Sequence, residues 1–249
     1  METLYIVVPC YNEEECLPKT APVFRQELAD LTAKGLVGPE SRVLLVDDGS
    51  ADRTWEIIRS LHESDPAFAG LRLSPNRGHQ NAVMAGLMEA RVRADVSICI
   101  DADLQDDIHA MESMMEKHQS GFHIVCGVRS SRETDTTFKR FTAQSYYALM
   151  NLFGAKLIYN HADYRLMDRA ALNALALYHE DDPFLRGMTT RLGLDIATVE
   201  YKRAPRVAGE SKYTLKKMVK LALRSLACGR WKPKDTPRPP DPHITERLF

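Results

Sequence analysis

Asp101, Asp103 and Gln105 alternate through the segment Ile100-Asp101-Ala102-Asp103-Leu104-Gln105-Asp106-Asp107. They follow an apolar run, Val96 to Ile100, that reads as a buried strand, so their oxygens gather at a strand's end. Carboxylate and amide oxygens suit hard cations such as Mg2+ or Mn2+, which keep positions open for substrate phosphates. The chemistry this pattern offers is a metal that holds a diphosphate. The competing reading is a solvated acidic loop, because aspartates are common in turns.

Other polar clusters also follow apolar runs. Pro9-Cys10-Tyr11-Asn12-Glu13-Glu14 closes the first run, where proline is expected to end the strand and tyrosine offers a stacking face. The acids there could accept from a nucleobase or cap the next helix. Val46-Asp47-Asp48-Gly49-Ser50-Ala51-Asp52-Arg53-Thr54 closes the second: Gly49 permits a sharp turn, and Ser50 or Asp52 can cap a helix starting near Arg53. Asp47 or Asp48 could accept from ribose hydroxyls or a base N–H. A phosphoacceptor receiver site would need an aspartate at the third strand's end, where Ser74-Pro75-Asn76 stands instead. In Asn76-Arg77-Gly78-His79-Gln80, a helix N-terminus near His79 could face negative charge, while a lone histidine there reads first as structural. Gly78 and Gly86 allow close backbone approach.

The elements that must position these residues are legible as alternation. Leu4 to Pro9, Arg42 to Val46, Gly70 to Leu73, Val96 to Ile100 and Phe122 to Cys126 read as strands with helical stretches between them. That order, with continuous apolar strands, predicts a mainly parallel sheet covered on both faces, a Rossmann-like α/β domain. Ligands of such sheets sit at the carboxyl ends of the strands, where the unusual residues fall. Beyond Val128 come a polar loop (Arg129 to Thr137), a helix (Phe138 to Phe153), an extended segment near Ala162 to Met167, and further helices.

The 249 residues, 44% hydrophobic and 27% charged, fit one globular domain and exclude wholesale disorder. The five cysteines lack metal-ligand spacing, so they read as reduced packing residues of a cytosolic protein, and no zinc site is expected. Neither a signal peptide nor an uninterrupted apolar run of about eighteen residues is present. A net charge of -1 argues against a general nucleic-acid binder, yet from Lys202 to Arg238 basic residues outnumber acids by about ten. Such a patch seeks phosphates or anionic lipid headgroups. Within it, Tyr213 to Cys228 alternates apolar positions (Leu215, Met218 or Val219, Ala222, Leu226) with Lys216, Lys217, Lys220 and Arg224, the pattern of a basic amphipathic helix.

Taken together, Pro9-x-Tyr11-Asn12-Glu13, Asp47-Asp48-Gly49-Ser50-x-Asp52-x-Thr54, Asn76-x-Gly78-His79-Gln80 and Asp101-Ala102-Asp103-Leu104-Gln105 resemble the motifs of family 2 glycosyltransferases in order and spacing. The resemblance is closest to the polyprenyl-phosphate branch. It extends through Gly127-Val128-Arg129, Asp163-Tyr164-Arg165-Leu166-Met167, Phe184-Leu185-Arg186-Gly187 and Arg203-x-x-Arg206-x-x-Gly209-Glu210-Ser211-Lys212-Tyr213.

It implies a GT-A fold and an inverting, metal-dependent transfer of a hexose, glucose from UDP-glucose, onto a polyprenyl phosphate such as undecaprenyl phosphate. By matching positions, Pro9, Tyr11, Asn12, Glu13 and Asp48 would hold the nucleoside, and Asp101 with Ala102 would reach its ribose or base. Asp103 and Gln105 would hold Mg2+ or Mn2+, and Arg129, Arg206 and Lys212 would supply positive charge. Asp163 would lie near the acceptor as a base or a positioning group, or simply pair with Arg165. The alternatives are a soluble sugar or protein acceptor, or a nucleotide-sugar-binding protein with impaired catalysis.

The expected organisation is a domain over 1–212, an interfacial helix over 213–228 and a disordered tail over 229–249. Bacterial relatives commonly continue from such a helix into two transmembrane helices. Here Gly229-Arg230-Trp231-Lys232-Pro233 follows instead, which places the chain peripherally at the cytoplasmic face of the membrane. A homo-oligomer is compatible with this reading.

Overall fold

The computed structural model describes residues 1–130, 158, 160–203 and 231–249. Six strands lie where the sequence places them: β1 (Leu4–Cys10), β2 (Arg42–Asp47), β3 (Phe68–Leu73), β4 (Val96–Cys99), β5 (Ile124–Arg129) and β6 (His161–Asp168). Two more were not anticipated, β7 (Ile196–Tyr201) and β8 (Ile244–Leu248). The described helices are α1 (Leu17–Ala33), α2 (Thr54–Ser64), α3 (His79–Arg93), α4 (Ala110–Gln119), α5 (Arg169–Ala176) and α6 (Leu185–Thr189). The expected helices at 138–153 and 213–228 lie outside the described residues.

All eight strands form one sheet in the order β7-β5-β6-β4-β1-β2-β3-β8. Strands β3, β2, β1 and β4 are mutually parallel, as are β5 and β7. Strand β6 runs antiparallel between β4 and β5, and β8 runs antiparallel along β3. The central strands are continuously apolar because helices cover both faces. On one face Phe24, Leu28 and Leu31 of α1 and Met111, Met114 and Met115 of α4 pack on the sheet, and on the other α3 and α5 do so.

Strand β1 does not end at Pro9 but continues to Cys10, with Pro9 opposite Val46. The reason is position. The carbonyl of Val7 accepts from Ile100 on the β4 side and that of Cys10 from Asp48 on the β2 side, so Pro9 faces β4 beyond its last pair, Val7 with Cys99. There the missing N–H ends the β1–β4 ladder rather than interrupting it, while the β1–β2 ladder runs on to Cys10.

Of the tail expected to be disordered, residues 231–249 are ordered against the domain. Lys234 and Arg238 donate backbone N–H bonds to the carbonyls of Leu177 and Ala176, and Ile244–Leu248 then pairs with β3. Proline and charge before residue 243 masked the alternation of Ile244, Glu246 and Leu248, a short edge strand with one half-buried face.

Gly86 fixes the seating of α3. A Cβ there would collide with Cγ1 of Val7 and come within 2.9 Å of Cγ2 of Val46. Both neighbours are β-branched and stiff. Gly86→Ala should gain about 1 kcal/mol in helix propensity and lose about 1–3 kcal/mol to overpacking. A lowered urea midpoint is the expected result, and a raised one would show that α3 can lift from the sheet.

Candidate functional site

Loops after β1, β2, β3 and β4 meet at the carboxyl edge of the sheet. The first two are stapled together. Ser50 Oγ accepts from Asn12 N (2.9 Å), Asn12 Oδ1 accepts from Ala51 N (2.9 Å), and Thr54 Oγ1 accepts from Glu13 N (2.8 Å). Asp52 accepts from the backbone of Glu14 and of Thr54 one position ahead of the N-cap, Arg53, which has no side-chain cap, and Ser50 serves the neighbouring loop. Asn12 takes a left-handed conformation at this junction, and Tyr11, 44% exposed, leaves a ring face on the surface.

Asp48 turns inward and grips the third loop. Its oxygens accept from Arg77 N (2.7 Å), Gly78 N (2.8 Å) and Asn76 Nδ2 (3.1 Å). Burial raises its carboxyl, and the two backbone N–H groups oppose that rise. Gly49, at φ +68°, lets the second loop touch the third, since a Cβ would stand 2.7 Å from Asn76 N. Asp47 is fully buried, accepts from Ser50 N (3.0 Å) and lies 3.5 Å from Arg72 Nε.

The acidic turn after β4 splits its residues by direction. Leu104 adopts φ +50°, a left-handed bend uncommon for a leucine. Asp103 Oδ1 accepts from Gln105 N (3.1 Å). Ala102 is buried in the core, and its carbonyl accepts from Cys16 Sγ (3.4 Å). Gln105 is also buried, and its side-chain carbonyl accepts from Arg203 Nη2. Burial raises the Glu13 carboxyl and Asp101 likewise, and in both cases Asp103 adds repulsion. A cation at this turn would relieve that crowding.

Asp163, near the start of β6, stands opposite. Arg186 of α6 clamps both its oxygens at 3.0 Å, and Arg165 Nη2 adds a third contact at 3.0 Å. His79 Nε2 lies 3.7 Å from Asp163 Oδ2 and 3.7 Å from Asp101 Oδ1, bridging the two carboxylates. Gln80 accepts from Leu185 N (3.1 Å), tying α3 to α6. Burial alone would raise the Asp163 carboxyl, but Arg186, then His79 and Arg165, hold it well below the usual carboxylate range. It is a fixed anion and a weak base.

Among the described residues no group of three or more His, Cys, Asp or Glu side chains is placed to hold a metal ion. No described helix is long and apolar enough to cross a membrane.

The sequence matches the profile of Glycosyl transferase family 2 over residues 5–176. The chain belongs to that family. It is 48% identical over 223 residues to the uncharacterized glycosyltransferase YkoT of Bacillus subtilis, covering 90% of this chain and 66% of that protein. It is 37% identical over 225 residues to a prophage bactoprenol glucosyl transferase homolog of Escherichia coli, covering 89% and 70%. The chain thus spans about two thirds of the length of these relatives. Among solved structures, glucosyl-3-phosphoglycerate synthase from Mycobacterium tuberculosis in complex with Mn2+, UDP and glucosyl-3-phosphoglycerate superposes with TM-score 0.60 at 16% identity, over 91% of this chain and 78% of that one. The fold is GT-A.

In this family 2 chain the structure brings Glu13, Asp101, Asp103 and Asp163 to one edge of the sheet. It gives other work to Arg129, expected to supply positive charge. Arg129 makes a two-pronged bond to buried Asp106 (3.1 and 3.1 Å) and contacts Tyr201 Oη (3.4 Å). Burial opposes its charge, Asp106 outweighs burial, and the guanidinium is held charged. Asp106 is that arginine's buried partner, while Asp107 Oδ1 accepts from His109 N at the start of α4. Arg206 and Lys212 lie outside the described residues.

Sequence reasoning quoted Arg186 and Arg203 without giving them a task, read His79 first as structural, and passed over His161. His161 is 4% exposed and neither ring nitrogen has a hydrogen-bond partner among the described residues. Burial, with Arg165 and Arg186 nearby, pushes it well below the usual imidazole range. The period-two register His161, Asp163, Arg165 would have placed it on the site's face.

Replacing Arg186 tests the clamp. Arg186→Met should cost about 1–3 kcal/mol at pH 7, the range for leaving a buried acceptor short of its donor. A carboxyl depressed in the folded state stabilises above its unfolded value of about 3.9 and loses that contribution as pH falls through the folded value. The deficit measured by urea unfolding should therefore hold from neutral pH to about pH 4 and shrink only below it. A deficit that vanishes by pH 6 would contradict the clamp.

Proposed function

We propose that this chain is an inverting glycosyltransferase that moves a hexose, glucose from UDP-glucose, onto a polyprenyl phosphate. The observation that carries the reading is the facing pair at one sheet edge: the acidic turn at Asp103, and an Asp163 whose carboxylate is kept ionised by Arg186, Arg165 and His79. Relatives named bactoprenol glucosyl transferase, 37–39% identical over about nine tenths of the chain, support the acceptor class.

The nucleoside is placed on the stapled loops, with Tyr11 as stacking face and Pro9, Asn12 and Glu13 shaping its cleft. Asp48 contributes by holding the third loop. Asp103 would hold Mg2+ or Mn2+ at the turn, since its carboxylate offers the hard oxygen such ions prefer. Held there, the ion would supply charge neutralisation for a departing UDP. Gln105 already binds Arg203, and we assign it to holding that cation beside the turn. Arg206 and Lys212 are assigned to the diphosphate.

Transfer forms a bond between an acceptor phosphate oxygen and the anomeric carbon as the bond from that carbon to UDP breaks on the opposite side. The acceptor needs no protein base, since a phosphate monoester with a second pKa of about 6 is largely ionised at neutral pH. Asp163, a weak base, then serves to position the sugar or acceptor and to stabilise positive charge developing at the anomeric centre. The basic amphipathic pattern at 213–228 is assigned to an anionic membrane interface that presents the lipid.

The test is a panel of nucleotide sugars with Mg2+ or Mn2+, offered a short-chain polyprenyl phosphate or free sugars. UDP-glucose should be consumed only with metal and lipid phosphate, and the product should be inverted. Asp103→Asn should lower kcat about 100-fold or more, the scale of losing transition-state charge stabilisation, with unfolding unchanged. Transfer to free sugars in preference to the lipid phosphate would overturn the acceptor assignment, and undiminished activity of Asp103→Asn the metal assignment.

A further inference from the structure

The β3–α3 loop, residues 74–78, is gripped from two sides. From within, Asp48 accepts from the N–H groups of Arg77 and Gly78. From outside, the C-terminal segment holds it: the carbonyl of His243 accepts from Ser74 N (2.9 Å), and His243 Nε2 meets Arg77 Nη1. A guanidinium has no acceptor, so the imidazole nitrogen accepts. His243 is itself set by Asp241, whose Oδ1 accepts from His243 N (2.9 Å).

Beyond it β8 is locked to the same part of the sheet. Glu246 takes Arg72 at 3.1 Å and Arg59 at 2.8 Å, and Arg72 lies 5.6 Å over the Trp55 ring and 3.5 Å from buried Asp47. Phe249 ends the segment under Arg93 (3.7 Å). The C-terminal residues of these contacts, Asp241 to Phe249, lie outside the stretch that matches the family profile, 5–176, while their partners lie within it.

We propose that residues 231–249 are a strap that sets the β3–α3 loop, with His243 as a positioning residue for the donor site. The loop delivers His79 to its place between Asp101 and Asp163, so a loop freed on its outer side would let both the Asp48 contacts and the His79 bridge drift. His243 acts through Arg77, two residues from His79. The kinetic consequence rests on the donor reading above, but the mechanical one does not.

Hydrogen exchange followed at residues 76–80 separates the two. His243→Ala should speed exchange of the Arg77 and Gly78 amides by roughly fivefold to tenfold, the worth of one net hydrogen bond. His243→Gln, which restores an acceptor, should return it to the native rate. Arg77→Met should match His243→Ala, and the double variant should exceed neither. With UDP-glucose and lipid phosphate, His243→Ala should raise the donor KM by a similar factor and change kcat less than twofold.

Native exchange in His243→Ala, or additive effects in the double variant, overturns the strap. Should the native chain consume no UDP-glucose, exchange still decides the strap, so failure of the donor reading is told apart from failure of this inference.

Discussion

A carboxylate that must stay charged while shielded from water needs partners held around it, and Asp163 draws two guanidinium groups and an imidazole from three elements. Arg186 arrives from α6, Arg165 from the same strand two residues on, and His79 from the first residue of α3. Each provider is itself fixed. Arg165 is fully buried and donates to Thr189, and the side chain after His79 accepts from the backbone that opens α6. The anion therefore acts as a keystone: helix α3, the reversed strand β6 and the short helix α6 keep their relation because one charge requires all three. Arg129 with Asp106 repeats the principle between β5 and the acidic turn.

The loops after β1, β2 and β3 solve a related problem with neutral partners. Asp48 and Asp52 use backbone N–H groups, and Asn12 and Ser50 exchange bonds across two loops. Loops at the end of a parallel sheet have no ladder of their own, so their amides must be satisfied by side chains. That requirement explains why the sequence is crowded there with Asp, Asn, Ser and Thr, residue types that would also suit a ligand.

Most of the architecture was legible because buried parallel strands are apolar throughout, as Leu4 to Val8 and Val43 to Val46 show. What escaped were elements whose signal is half-strength. β7 alternates with exposed Thr198 and Glu200, and β8 follows a proline-rich approach. At the site, motif spacing located Asp101, Asp103 and Asp163 but could not tell which polar residues turn inward. Asp48, Asp106 and Gln105 face protein partners, and that choice depends on contacts with residues 77, 129 and 203, distant in sequence. The same distance hid the clamp on Asp163, since nothing local to Arg186 announces its partner 23 positions away.

Strand β6 runs against its neighbours, and this has a topological result. Parallel strands deliver their last residues to the ligand edge, whereas β6 delivers its first. β5 leaves the sheet at that edge through Arg129, and the chain re-enters at the same edge through Asn160 and His161. The two ends are buttoned together, Arg129 N to Asn160 O at 3.2 Å and Asn160 Nδ2 to Arg129 O at 3.3 Å. A connection closed at its base is cheap to lengthen, since doubling a loop costs only about 0.6 kcal/mol. Insertions or exchanges in the sequence between those buttons leave the register of every described strand unchanged, so that stretch of sequence is where a shared scaffold can diverge.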